Sequence, residues 1–163
     1  MKKWLTLALV LGLASGASAA LTLVDAPTEP IEIGETVTIT VRNSDDGAYS
    51  GWLEIEAPAV VDYAADPEFT AAGNPGGGSK ATYHPEFGAW YEFAVTSFPP
   101  NPAIEAGDHI LVSIIGVSEG STRLNLYASD GETLLDSATI SVIPEPTMIA
   151  LLGLGGLLLR RRA

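Results

Sequence analysis

The sequence predicts an all-β protein, a single antiparallel β-sandwich of seven to nine strands, and three observations carry that reading. Apolar residues recur with a period of two in segments such as "ETVTITVRN", where Val37, Ile39 and Val41 face one way and Thr36, Thr38 and Thr40 the other. Clusters of turn residues, "NSDDG", "SEGS" and "SDGE", separate these segments, each with Gly or Asp where a tight reversal needs it. No segment of residues 20–143 shows the 3.6-residue period of an amphipathic helix.

The chain opens with Lys2 and Lys3, an apolar run over residues 4–13 and the small-residue site Ala17-Ser18-Ala19. That order predicts a secretory signal peptide over residues 1–19, carried by the Sec translocon and removed by signal peptidase. The run is too short to span a bilayer comfortably, which separates it from an anchor. Secretion permits disulfides, yet the chain has no cysteine, so its body must be held by an apolar core without a covalent staple.

Strands are expected within residues 35–43, 52–57, 89–96, 109–117, 122–128 and 133–142, with shorter candidates at 21–24 and 60–63. Their alternation places Val37, Ile39, Val41, Leu53, Ile55, Leu124, Leu126, Ile140 and Val142 in the core. "HILVSIIGV" is apolar on both faces and suits a central strand, covered by the opposite sheet and by a loop or edge element. Two long loops, "TAAGNPGGGSKATYHPEFG" and "TSFPPNPAIEAGD", interrupt the strands, and neither is long enough to be a domain linker. At 163 residues the chain has room for one domain and its terminal signals, which gives a sandwich over residues 20–143.

Residues 144–163 read differently. Pro144, Glu145 and Pro146 lead into an apolar run of 13 residues, 147–159, closed by Arg160, Arg161 and Arg162. As a helix that run covers about 20 Å of a hydrocarbon core roughly 30 Å thick. It has no polar face, and the positive-inside rule keeps the three arginines in the cytoplasm as a membrane stop. The prolines remove backbone donors and disfavour helix just before it, so the expected arrangement is a short transmembrane helix with an extended strap outside.

This C-terminal segment resembles the PEP-CTERM sorting signal: a Pro-Glu-Pro triplet, a short Gly- and Leu-rich helix and a terminal arginine cluster, behind a secretory signal. The resemblance implies processing by an exosortase, a membrane transpeptidase that recognises the triplet, cleaves nearby and passes the protein to the envelope or extracellular matrix. Pro144, Glu145 and Pro146 would then be a substrate site for that enzyme. The body resembles cohesin-like modules in "IEIGETVTITVRN", "GAYSGWLEIEAP" and "IEAGDHILVSIIGV", which share their strand pattern and Gly-Asp or Gly-Glu turns. That likeness implies a jelly-roll sandwich of a kind that binds proteins or stands near carbohydrate-binding relatives, and the general Ig-like sandwich explains the same pattern almost as well.

Charge narrows the partners. Between Ala20 and Ile143 only Arg42, Lys80 and Arg123 stand against nineteen carboxylates, a formal charge of −16. Such a surface repels phosphate backbones and excludes nucleic acid. Trp52 falls on the polar face of its strand with Glu54 and Glu56, and Trp90 with Glu92, so both tryptophans are candidates for stacking on a sugar ring or anchoring a protein partner unless the loops fold over them. Glu54 and Glu56 have the separation of a glycosidase pair, as has any two-apart pair on a solvated strand in so acidic a body. His84 and His109 sit in no metal-ligand spacing, and no catalytic triad or phosphate loop is visible. "NSDDG" and "SDGE" carry hard oxygen donors that would suit calcium, yet both are turn sequences first and no cofactor is expected. The expected function is that of an exported, non-enzymatic surface or matrix protein, with extracellular polysaccharide or a surface protein as partner; the alternative is a carbohydrate-binding module using Trp52 and Trp90.

Overall fold

The computed structural model describes residues 21–97 and 101–145. The expected signal peptide, Pro146, the apolar run and Arg160 to Arg162 lie outside the described residues. Within them the chain forms eleven strands: β1 (Leu21–Val24), β2 (Ile31–Glu32), β3 (Thr36–Asn43), β4 (Tyr49–Ile55), β5 (Val61–Tyr63), β6 (Glu68–Phe69), β7 (Lys80–Tyr83), β8 (Ala89–Val95), β9 (Gly107–Gly116), β10 (Gly120–Tyr127) and β11 (Leu134–Ile143). They make two sheets. The five-stranded sheet runs β1-β3-β9-β5, with β6 also on β9, and the six-stranded sheet runs β2-β11-β10-β4-β8-β7. All pairings are antiparallel except β2 with β11, which is parallel.

The core lies between the sheets. Ile39, Val41, Ile110, Val112 and Ile114 from one face Leu53, Ile55, Phe93, Leu124, Leu126, Ile140 and Val142 from the other, all buried. Every core residue expected from the alternation lies in this cluster, Val37 being half-buried at its margin. Gly51 faces inward on β4, where an added Cβ would stand 2.7 Å from Phe93 Cζ; the ring occupies the volume of the missing side chain.

Two of the three turn signals do something other than reverse a strand within its sheet. "NSDDG" joins β3 to β4 and "SEGS" joins β9 to β10, so both are arches that carry the chain from one sheet to the other. Gly and Asp permit the sharp backbone, as at Gly47 with φ of 112°, but do not specify which sheet the next strand joins. Only "SDGE" closes a hairpin, between β10 and β11.

Three strands were not expected from the sequence: β2, β6 and β7. The first two have two residues each, too few for a period to register, and β7 lies inside the Gly-rich loop. Both open edges of the sandwich are closed by side chains. On one, Pro27 and Pro30 lead the chain from β1 to β2 and so from one sheet to the other, and Asp136 Oδ2 on β11 accepts from the Leu23 N–H at 2.8 Å. On the other, the rings of Tyr63 and Tyr91 meet edge-on at 4.7 Å, Tyr83 packs on Tyr91 at 4.9 Å, and the Tyr91 hydroxyl donates to Asp66. Burial pushes the Tyr63 and Tyr91 hydroxyls well above the usual phenol range, so both are neutral; that of Tyr91 donates to Asp66, while that of Tyr63 is buried with no hydrogen-bond partner among the described residues.

A bulge on β9 settles His109. Val41 pairs with Ile110 and Arg42 with Asp108, which leaves His109 as the extra residue, turned inward and fully buried. The Tyr49 hydroxyl donates to its Nδ1 at 2.8 Å, and Nε2–H donates to the Glu105 carbonyl at 2.7 Å. Those two bonds define the tautomer and tie the loop before β9 to the core.

Candidate functional site on the outer face of the six-stranded sheet

The outward residues of β10, β4 and β8 form registered rows. Asn125, Glu54 and Trp90 stand side by side in one, and Tyr127, Trp52 and Glu92 in the next. Strand alternation puts them there, because Leu124, Leu126, Leu53, Ile55, Tyr91 and Phe93 take the inward positions between them. Trp52 and Trp90 are thus on the face expected, and both are half-buried among other rings rather than standing as free flat platforms.

The rings are contiguous. Trp90 stacks on Tyr127 at 5.2 Å and 18°, and meets Trp52 edge-on at 6.2 Å and 69°. Trp52 packs on His84 at 5.3 Å, and His84 on Phe87 at 6.0 Å. The last two come from the loop between β7 and β8, whose turn over Pro85–Phe87 opens with a proline that presets the backbone. From the other side the β10–β11 hairpin folds onto Trp52: its indole Nε1–H donates to the Ser129 carbonyl at 3.4 Å, and Gly131, at φ 69°, lies against the ring. Both flanking loops therefore reach over Trp52, and between them remains an open groove of about 570 Å³ lined by Trp52, Phe87, Trp90, Asp130, Gly131 and Glu132.

Beneath the Trp90–Tyr127 stack is a polar network that composition alone does not disclose. The buried Asn125 donates from Nδ2 to Glu54 Oε2 and to Glu56 Oε1, each at 3.0 Å, while its Oδ1 accepts from the Ser137 hydroxyl at 2.9 Å. The Tyr127 hydroxyl donates to Glu54 Oε2 at 2.8 Å, and burial followed by this carboxylate pushes its pKa up. Arg123 approaches Glu56 at 4.0 Å. Glu54 and Glu56 are held as acceptors for a neutral amide and a phenol.

Two further groups have shifted protonation. His84 Nδ1 is 3.0 Å from Glu86 Oε1 and its Nε2 is 3.4 Å from Glu92 Oε2; the hydrogen bond to Glu86 leads in raising the imidazole pKa, and the same bond lowers that of Glu86. Asp130 caps the hairpin by accepting from the Thr133 hydroxyl at 2.6 Å, the Thr133 N–H at 2.9 Å and the Glu132 N–H at 3.0 Å, which lowers its pKa to about 2. Among the described residues no cluster of three or more metal-ligating side chains is found. Asp130 in "SDGE" is spent on its own turn, and in "NSDDG" Asn43 bonds Asp45 while Asp46 accepts from the Ala106 N–H at 2.8 Å. Of the residues expected to serve in sorting, Pro144 and Glu145 follow directly on β11, and Pro146 and Arg160 to Arg162 are outside the described residues.

The fold has counterparts among solved structures. The third cohesin of ScaC from Acetivibrio cellulolyticus, solved with the ScaB dockerin, superposes with a TM-score of 0.56 at 13% identity, covering 76% of this chain and 99% of that one. The sixth cohesin of scaffoldin B from the same organism, in complex with a Cel5 dockerin mutant, gives 0.54 at 10% identity over 78% and 100%. The OlpA cohesin from Clostridium thermocellum, bound to the dockerin of Doc918, gives 0.53 at 8% identity over 78% and 100%. The body is a cohesin-like β-sandwich in fold, as the strand pattern suggested. No family profile matches the sequence, and no curated protein matches it.

Proposed function

We propose that this chain is an exported, non-enzymatic interaction module whose outer six-stranded face docks a protein partner. The observation that carries the reading is the groove on that face: three aromatic rings beside carboxylates, on a sheet whose opposite side is the core. Half-buried aromatics next to a polar rim supply contact area at low entropic cost, which is the composition of a protein-binding surface. The cohesin modules of like fold were solved with dockerin partners, and a protein ligand for this sandwich is in keeping with that. Glu54 and Glu56 of this face accept from Asn125 and Tyr127, an arrangement that suits a binding surface.

Export belongs to the same proposal. The secretory signal at residues 1–19 and the PEP-CTERM segment at 144–163 would bring the module through the inner membrane, hold it there by the short apolar run and present Pro144, Glu145 and Pro146 to an exosortase. The destination would be the outer surface or the extracellular matrix.

Site-specific photo-crosslinking in the producing cell tests the docking reading. A photoreactive residue at Thr139, exposed on the outer face of the six-stranded sheet, should give adducts with protein. One at Thr38, exposed on the outer face of the other sheet, should give none. Equal labelling from both faces, or adducts with polysaccharide alone, overturns it.

A further inference from the structure

The groove has a specific shape and charge. Trp52 and Trp90 meet edge-on, and one face of Trp90 is already taken by Tyr127, so the rings make the walls of a notch rather than the level platform on which a sugar lies. Phe87, 64% exposed, forms a third wall, and His84 is its one ring neighbour among the described residues. On the rim stand Asp130 and Glu132. The Glu132 carboxylate carries no ion pair among the described residues.

Among the described residues no lysine or arginine matches them. Of its three body cations, Arg42 is paired with Asp108 on the other sheet at 2.6 Å, Arg123 faces Glu56, and Lys80 stands on β7 opposite Ala94, a row beyond the Trp52–Glu92–Thr82 row. Ring faces carry negative potential and attract a cation within about 6 Å, and a carboxylate at the mouth adds a charge-assisted hydrogen bond. Arginine answers both, since its guanidinium is planar, stacks on aromatic rings and forks onto a carboxylate.

We infer that the groove between the β7–β8 loop and the β10–β11 hairpin is a receptor for a basic side chain, arginine foremost, presented by the protein partner. The inference rests on the docking reading of this face and names the partner's chemistry: a basic segment, whose approach the −16 body favours at long range. Trp52 and Trp90 hold the stem and guanidinium plane, Phe87 closes the open side, and Glu132 takes the charge. Asp130 contributes its negative field while its oxygens remain in the turn.

The probe is acetyl-Gly-Arg-Gly-amide, titrated into the full chain while the indole N–H resonances are followed by NMR. Its citrulline analogue, equal in shape but neutral, and a neutral oligosaccharide such as cellotetraose serve as comparisons. The arginine peptide should shift the Trp52 and Trp90 signals saturably, and the citrulline peptide should bind at least about threefold more weakly. Phe87→Ala and Glu132→Gln, both on exposed side chains, should each weaken the arginine peptide by about threefold or more while leaving the thermal midpoint in place. If citrulline binds as well as arginine, or neither variant alters the affinity, the cation site is wrong, and protein adducts from Thr139 would leave the docking reading standing. If cellotetraose moves the two indoles and the arginine peptide does not, both readings fall to a carbohydrate site.

Discussion

Asn125 donates its side-chain amide to Glu54 at 3.0 Å from a position on the outer face of the sheet, yet it is buried. Its nitrogen is shared by Glu54, Glu56 and the Tyr127 hydroxyl, and its oxygen takes the Ser137 hydroxyl. Removing one partner of such a network leaves the others without their bonds, at a cost of about 1–3 kcal/mol. Asn125→Ala should therefore lower the urea midpoint by that order, and Ser137→Ala, which removes one bond at an exposed residue, by less. An Asn125→Ala protein as stable as the parent would show that the network contributes nothing.

The bulge histidine makes a second stability prediction. His109 Nδ1 has the Tyr49 hydroxyl as its donor, and the two rings stack at 5.6 Å. Tyr49→Phe keeps the stack and orphans a buried nitrogen, so a loss of about 1–2 kcal/mol is expected in chemical denaturation. His109→Ala removes ring and bonds together and should cost more, with the loop before β9 losing amide-exchange protection first because Glu105 has lost its donor. Equal losses for the two variants would assign the whole effect to the hydrogen bond.

How much of this was legible follows from how many residues each feature needs. The sandwich and its core were, because each long strand repeats its alternation three or four times; Ile39 and Val41, or Leu124 and Leu126, cannot face solvent without turning their polar neighbours inward. The two-residue β2 and β6 have no period to read, and the choice between arch and hairpin at "SEGS" depends on strands far away in sequence. In the site, Trp52 and Trp90 declared themselves as aromatics on polar faces. In "RLNLY" the same alternation puts Asn125, between the buried Leu124 and Leu126, and Tyr127, next after Leu126, on the outward face. Their role depends on register with Glu54 and Trp52, about seventy residues earlier, which no local pattern encodes.

His84 should titrate above the ordinary histidine value of 6.5, because protonation strengthens its bond to Glu86 and its attraction to Glu92. A folded pKa above the unfolded one means that the contribution is complete below pH 6.5 and disappears as pH rises through the raised value. Imidazole NMR should give a midpoint above 6.5 that returns toward it in Glu86→Gln, and by a smaller step in Glu92→Gln. A midpoint at or below 6.5 in the parent would remove the pair from this account.

Asp130 has the opposite sign. Its folded pKa is about 2 against an ordinary 3.8, so the turn it caps is held above the ordinary value and released as pH falls through about 2. The Thr133 hydroxyl is the largest cause, and Thr133→Val should move the carboxyl midpoint up toward 3.8 without disturbing the core. Because the same turn borders the groove, the Trp52 indole signal should shift in the same acid range in the parent and at higher pH in the variant. An indole signal indifferent to the variant would show that the turn and the ring are not coupled.

The end of β11 defines what processing can remove. Val142 is buried and pairs with Ile31, the Ile143 carbonyl accepts from the Ile33 N–H at 3.0 Å, and Pro144, which has no N–H to donate, follows at once. A cut before residue 143 would take ladder bonds and core contacts from the last strand, whereas a cut beyond it leaves the pairing of β11 with β2 and the core residue Val142 in place. Intact-mass measurement on the exported protein from a cell with an active exosortase should show an N-terminus near Ala20, a C-terminus at or beyond Ile143, and loss of Arg160 to Arg162. Glu145→Ala should impair that processing, and exchanging the three arginines for glutamates should weaken the membrane hold and its orientation instead. Persistence of the apolar run and all three arginines in such a cell would make the tail a permanent anchor and end the sorting proposal, because a processed substrate cannot retain its membrane stop.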